Sequence, residues 1–189
     1  MILLILGVLI WSGVHLFPSL AAKKRAAWIE RMGEGPYKGL FALSLVGAIV
    51  LMALGWRSTS PVAAYSPPAP GGPLTGFLMF VSLVLFMGSN VPTNLKRFVR
   101  HPQLTGVAVW ALAHLLANGD LRSLVLFGGI GLWALLAMLS INRRDGEWQK
   151  PEPLPLAAEI KPLVAGIVGY GVFALLHRYI AGVSAFPSG

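Results

Sequence analysis

The residues best suited to chemistry in this chain are its four histidines, His15, His101, His114 and His177. His114 sits inside "RHPQLTGVAVWALAHLLANGD", an apolar run from Arg100 to Asp120 that looks built for lipid. His15 lies in a similar run, about 12 Å of helix rise before Lys23, and His114 lies about 9 Å before Asp120. An ionisable side chain at such depth is costly and is a functional candidate by default. Neutral imidazole ligates haem iron and other metals. Two histidines from different helices can clamp a flat porphyrin whose ring the apolar walls then bury. The competing reading is a hydrogen bond from each ring to a Ser, a Thr or a backbone carbonyl of a neighbouring helix. With no cysteine, thiolate metal sites and a thiolate haem ligand are excluded. All 7 acidic residues fall in loops or at the ends of apolar runs, so a mixed-ligand zinc or iron site is disfavoured.

The elements that must position these rings are membrane helices. The chain is 56% hydrophobic and 12% charged, whereas a soluble domain is about 25% charged. Its mean hydropathy is +0.71. The fold class expected is an all-α polytopic membrane bundle, a single domain over 1–189, with about six transmembrane helices. They are expected near Ile2–Leu20, Gly39–Trp56, Leu74–Gly88, Leu104–Asn118, Leu121–Ile141 and Pro162–Ala181. The third and fourth are short for a bilayer. The first is expected to be a retained span and not a cleaved signal, because its basic residues follow the apolar run.

Of the 15 Lys and Arg residues, all but Arg57, Arg122 and Arg178 lie in the first, third and fifth gaps. The positive-inside rule places those gaps in the cytoplasm and both termini outside. The charge of +8 therefore faces anionic lipid, and no partner nucleic acid is expected. The stretch around Lys23–Arg31 is expected either on the lipid surface or as a solvated loop. "RSTSPVAAYSPPAPGGP" is an outer loop, and "KPEPLPL" is a stiff linker.

In "RHPQLTG", Pro102 suits the first turn of a helix and Gly106 allows close packing. Arg100 can meet a lipid phosphate or an anionic cofactor group such as a haem propionate, as can Arg122 at the other end of the site. Asn118-Gly119-Asp120 is a tight turn between spans. Trp110, Phe127 and Trp133 are expected as packing or interface anchors. By depth alone His114 pairs with His177, and His15 with His101.

"HPQLTGVAVWALAHLLANGD", followed by "LFGG" and "NRRDG", resembles the NnrU family of bacterial membrane proteins. So do His15-Leu16-Phe17-Pro18-Ser19 and Gly33-Glu34-Gly35-Pro36-Tyr37-Lys38-Gly39, and the resemblance covers nearly the whole chain. That family is named for an association with nitrite and nitric oxide metabolism in denitrifying bacteria. It is related to the plant 15-cis-zeta-carotene isomerase, a membrane enzyme with haem b. The resemblance implies a bacterial cytoplasmic-membrane protein with haem b as cofactor and His15 and His114 as axial ligands, His177 being the alternative ligand. It also implies a hydrophobic polyene or a nitrogen oxide as ligand. The isomerase has a Cys where this chain has Ala111, which puts isomerase activity in doubt. Arg100, His101, Pro102 and Gly106 also resemble the RHPxxxG motif of membrane methyltransferases, where it helps bind S-adenosylmethionine. A non-catalytic haem electron-transfer subunit is a third reading.

Overall fold

A computed structural model describes residues 1–68 and 71–185. The positions outside it are two of the long Pro-rich loop and the last four of the chain.

The long helices are apolar on all sides, so composition and helix breakers set their limits. Helix α1 spans Ile2–Leu20 and contains Pro18. Proline has no N–H for the helical ladder, and the helix ends at a bend on Ala21, φ −128°. Helix α2, Ala22–Met32, carries Lys23, Lys24 and Arg25 and buries none of its residues. The stretch open between a surface segment and a loop is thus a helix. It stops at Gly33, whose φ of +84° lies where glycine is favoured. Helix α3 then runs Glu34–Ser58. Helices α4 (Gly71–Gly88), α5 (Leu95–Phe98) and α6 (Pro102–Ala117) follow. One continuous helix, Leu121–Asp145, is built from α7 (Leu121–Ser123), a π-turn over Leu124–Gly128 and α8 (Gly129–Asp145). A 3₁₀ turn, Leu156–Glu159, leads into α9, Ile160–Ala181.

Four helices are long and apolar enough to cross a membrane: Ile2–Leu20, Glu34–Ser58, Leu121–Asp145 and Leu156–Ala181. Gly72–Gly88 and Pro102–Ala117 are apolar but shorter. Every expected run is therefore helical, α1 with the expected ends and the others with shifted ones. Helix α6 starts at Pro102, two residues early, because proline costs nothing at a helix's first position. Helix α3 starts at Glu34, ahead of the expected Gly39, because polar residues extend it beyond its apolar run.

The helices pack in the order α3–α1–α8–α6–α4–α9. Small residues let the backbones approach, as in membrane bundles generally. A Cβ at Gly55 of α3 would collide with the backbone of Leu4 in α1. A Cβ at Gly106 of α6 would come 2.8 Å from the Ser82 carbonyl of α4, and the Ser82 hydroxyl donates to the Gly106 carbonyl at 2.8 Å. The central cluster is Val8, Ile130, Trp133, Ala134 and Ala137, with Trp11, Leu104 and Trp110 packed against it. Outward faces stay apolar, with Leu43, Phe77, Leu139 and Leu175 all exposed. Water would disfavour such a surface, and a bilayer suits it.

Because long helices consecutive in the chain alternate in direction, the gaps rich in Lys and Arg gather at one end, while the packed neighbours α1 and α8 run parallel, with Val8 beside Gly129 and Ser19 beside Ser140. Arg57, Arg122 and Arg178 lie at the other.

Candidate histidine site

His114 stands near the outgoing end of α6, in the end opposite the basic one. Its Nδ1 is 2.9 Å from the Trp110 carbonyl, one turn back. A carbonyl only accepts, so Nδ1 carries the proton, and in the neutral ring Nε2 keeps its lone pair. Fixing one ring nitrogen on a carbonyl is how proteins orient a ligating histidine. Phe127 stacks on the imidazole at 4.3 Å between centroids with planes 23° apart, and Trp110 lies at 4.9 Å. Phe127 is supplied by the π-turn, and such turns recur at functional sites.

The structure brings His177 to His114. Their ring centroids are 6.4 Å apart, with planes 26° apart. His177 likewise directs Nδ1 to a carbonyl, that of Val183, at 2.8 Å. The depth argument thus selected the pair that comes together at this end.

His15 repeats the local pattern elsewhere. Its Nδ1 is 3.0 Å from the Trp11 carbonyl. Its ring packs on Trp11 at 4.3 Å, Trp133 at 4.8 Å and Phe41 at 5.7 Å. The indole N–H groups of Trp11 and Trp133 are buried with no acceptor. Trp133, which backs His15, is six residues beyond Phe127, which backs His114, or about 9 Å of helix rise. His15 and His114 share the same central helix as a wall and make no ring contact with each other. The structure also separates His15 from His101, which depth had paired.

His101 differs from the other three. Its Nε2 is 2.8 Å from Asn142 Oδ1, so it donates from that nitrogen and ties the start of α6 to α8. Arg100 and His101 line a cavity of about 650 Å³ at the basic end, together with Lys96, Gln103, Asp145 and Glu147. Arg100 is therefore at the opposite end from the His114–His177 pair. Arg122 shares that pair's end, yet its guanidinium lies over Trp56 at 4.3 Å. It also donates to the Thr59 carbonyl at 3.2 Å and pairs with Asp120 at 3.4 Å.

The turn after α6 is built for position. Asp120 caps α7, accepting from the Ser123 N–H at 3.1 Å and the Ser123 hydroxyl at 2.8 Å. The Gly119 carbonyl accepts from the N–H groups of Ala64 and Tyr65 at 2.8 and 3.0 Å. The Tyr65 hydroxyl donates to the Asn118 carbonyl at 2.9 Å and also contacts the Leu115 carbonyl. A Cβ at Gly119 would collide with the Tyr65 carbonyl. The Pro-rich loop thus lies across the end of α6, one turn from His114.

Sequence reasoning assigned Phe127 only to packing and left the π-turn unseen. The one available signal was the Gly128-Gly129 pair, which weakens regular helix.

A scan against protein-family models matches the NnrU model, described as NnrU protein, over residues 3–185. The chain belongs to the NnrU family. Comparisons with curated proteins and with solved structures find no match. Among the described residues of this NnrU chain, no three His, Asp or Glu side chains cluster as a metal site. A two-ligand iron centre needs no such cluster. The donor set of His114 and His177 suits one: two orientable imidazoles with Nε2 uncommitted and aromatic and aliphatic walls.

Proposed function

We propose that this chain is a haem b-binding protein of the bacterial cytoplasmic membrane. Its two shorter apolar helices span with the other four, and both termini face outward. His114 would hold the haem iron, with His177 the second ligand that the geometry favours and His15 the one implied by the family resemblance. The 6.4 Å separation of the His114 and His177 rings carries this reading. The carbonyl-anchored Nδ1 atoms support it, since each leaves Nε2 as the ligating atom.

When bound, the haem supplies one-electron redox chemistry. The protein's part is to orient two imidazoles through the Trp110 and Val183 carbonyls and to keep water out with Phe127 and Trp110. Held by both histidines, the group would supply electron transfer and would offer no open site to nitric oxide or a polyene. His177, near the end of α9, is held by its hydrogen bond to the Val183 carbonyl past the helix. Ala111 is buried and cannot replace either ligand. These features favour an electron-transfer role over isomerase chemistry. A visible spectrum of detergent-purified protein tests the reading. A low-spin six-coordinate haem b spectrum is expected, and failure to take up haem even when it is supplied would reject it.

One observation favours a second reading, that of an S-adenosylmethionine-dependent methyltransferase. Arg100, His101 and Gln103 line a cavity that also holds Asp145 and Glu147, a mixed-charge lining suited to a zwitterionic ligand. Calorimetric binding of S-adenosylmethionine, abolished by Arg100→Ala, would support it.

A further inference from the structure

We propose that the junction of α1, α2 and α3 binds the phosphate of an anionic lipid. A cavity of about 280 Å³ lies there, lined by Pro18, Arg25, Tyr37, Lys38 and Phe41. It is too small for a porphyrin and comparable to a lipid headgroup. Tyr37 is 7% exposed, and its hydroxyl is buried with no hydrogen-bond partner. A buried phenol in that state calls for an acceptor. The Arg25 guanidinium lies over the Tyr37 ring, 5.6 Å from its centroid, and Arg25 makes no ion pair among the described residues. Lys38 pairs with Glu34 at 2.8 Å, but both side chains are largely exposed. Such a pair is weak and exchangeable. The polar lining therefore offers a phenol donor and two cations, a set suited to a phosphate group.

The surroundings indicate a lipid as the source of that phosphate. Pro18 and Phe41 make part of the lining apolar. Trp28 of α2 packs on Phe17 of α1 at 5.0 Å and is itself exposed, as interfacial aromatics are. Below the cavity, Leu40 and Leu43 of α3 face outward, where acyl chains would lie. Basic pockets between helices at the cytoplasmic surface are the known chemistry of such headgroup sites. Free inorganic phosphate would meet the same cations and leave the apolar surfaces uncovered.

The test is native mass spectrometry of the detergent-purified full chain. Phosphatidylglycerol and phosphatidylcholine of identical acyl chains are titrated separately, with and without millimolar inorganic phosphate. Wild type should retain phosphatidylglycerol about tenfold more strongly, a difference of one charge-assisted contact. Arg25→Gln should remove most of that preference and Tyr37→Phe about threefold of it, the size of one lost hydrogen bond. Phosphatidylcholine, whose phosphate is compensated by its own ammonium, should lose less than phosphatidylglycerol in both variants. Arg57→Gln, at the other end of the bundle, should change neither. Equal retention of the two lipids, or a preference that survives both Arg25→Gln and Tyr37→Phe, overturns the proposal. Displacement of the lipid by inorganic phosphate would assign the site to a free anion and overturn the lipid as its occupant. Tyr37→Phe keeps the packing of the ring, so it remains informative if Arg25→Gln fails to fold.

Discussion

The imidazoles of His114 and His177 lie 6.4 Å apart, although 63 positions of chain and one intervening long helix, Leu121–Asp145, separate them. Helices α6 and α9 both pack on α4, and that shared neighbour brings the two rings to one level.

Replacing the histidines one at a time assigns the ligands. His114→Ala and His177→Ala should each abolish or convert the low-spin spectrum. His101→Ala should preserve it, because His101 is engaged by Asn142 at the other end. His15→Ala decides between the two pairs. If it destroys the spectrum while His177→Ala leaves it intact, the family-implied pair His15 and His114 holds the iron. A spectrum unchanged by His114→Ala would defeat both assignments.

The loop across the end of α6 should be essential to its stability. Gly119→Ala drives a Cβ into the Tyr65 carbonyl and should destabilise by more than 1 kcal/mol. Tyr65→Phe removes a donor from the Asn118 carbonyl and should cost about 1 kcal/mol, or roughly 2–4 °C in Tm. Thermal unfolding in detergent measures both. A Gly119→Ala protein as stable as wild type would show that the turn is not clamped by this loop.

Close packing of α4 on α6 predicts a steeper cost at Gly106. Gly106→Ala places a methyl 2.8 Å from the Ser82 carbonyl and should destabilise by about 1–3 kcal/mol. Ser82→Ala loses one hydrogen bond without a clash and should cost about 1 kcal/mol. Reversing that order in a thermal-shift series would mean the helices separate more readily than their packing implies.

The proposed orientation has its own readout. Alkaline phosphatase fused in the loop after α3 or at the Asn118–Asp120 turn should be active, since that enzyme needs an oxidising compartment. Green fluorescent reporters inserted after Asp145 should fluoresce in the cytoplasm. Inactive phosphatase at both outer positions would invert the topology.

Much of this was legible in the chain itself. Apolar runs of bilayer length interrupted by Pro, Gly and charge dictate helices, because lipid leaves the backbone no other way to satisfy its N–H and C=O groups. The alternation of Lys and Arg between gaps also marks one end of the bundle. Pro102, Gly106 and the Asn118-Gly119-Asp120 turn act as their side chains require, since each effect is local. Helix rise even ordered the histidines by depth. Which rings meet was a tertiary matter. Depth is one coordinate of three, and it paired His15 with His101 as readily as His114 with His177. Only the packing order α3–α1–α8–α6–α4–α9, set by small residues such as Gly55 and Gly106, selects the second pair. The π-turn that aims Phe127 at His114 and the donor-lined cavity under α2 likewise depend on neighbours distant in sequence. Spacing along one helix carries no information about them.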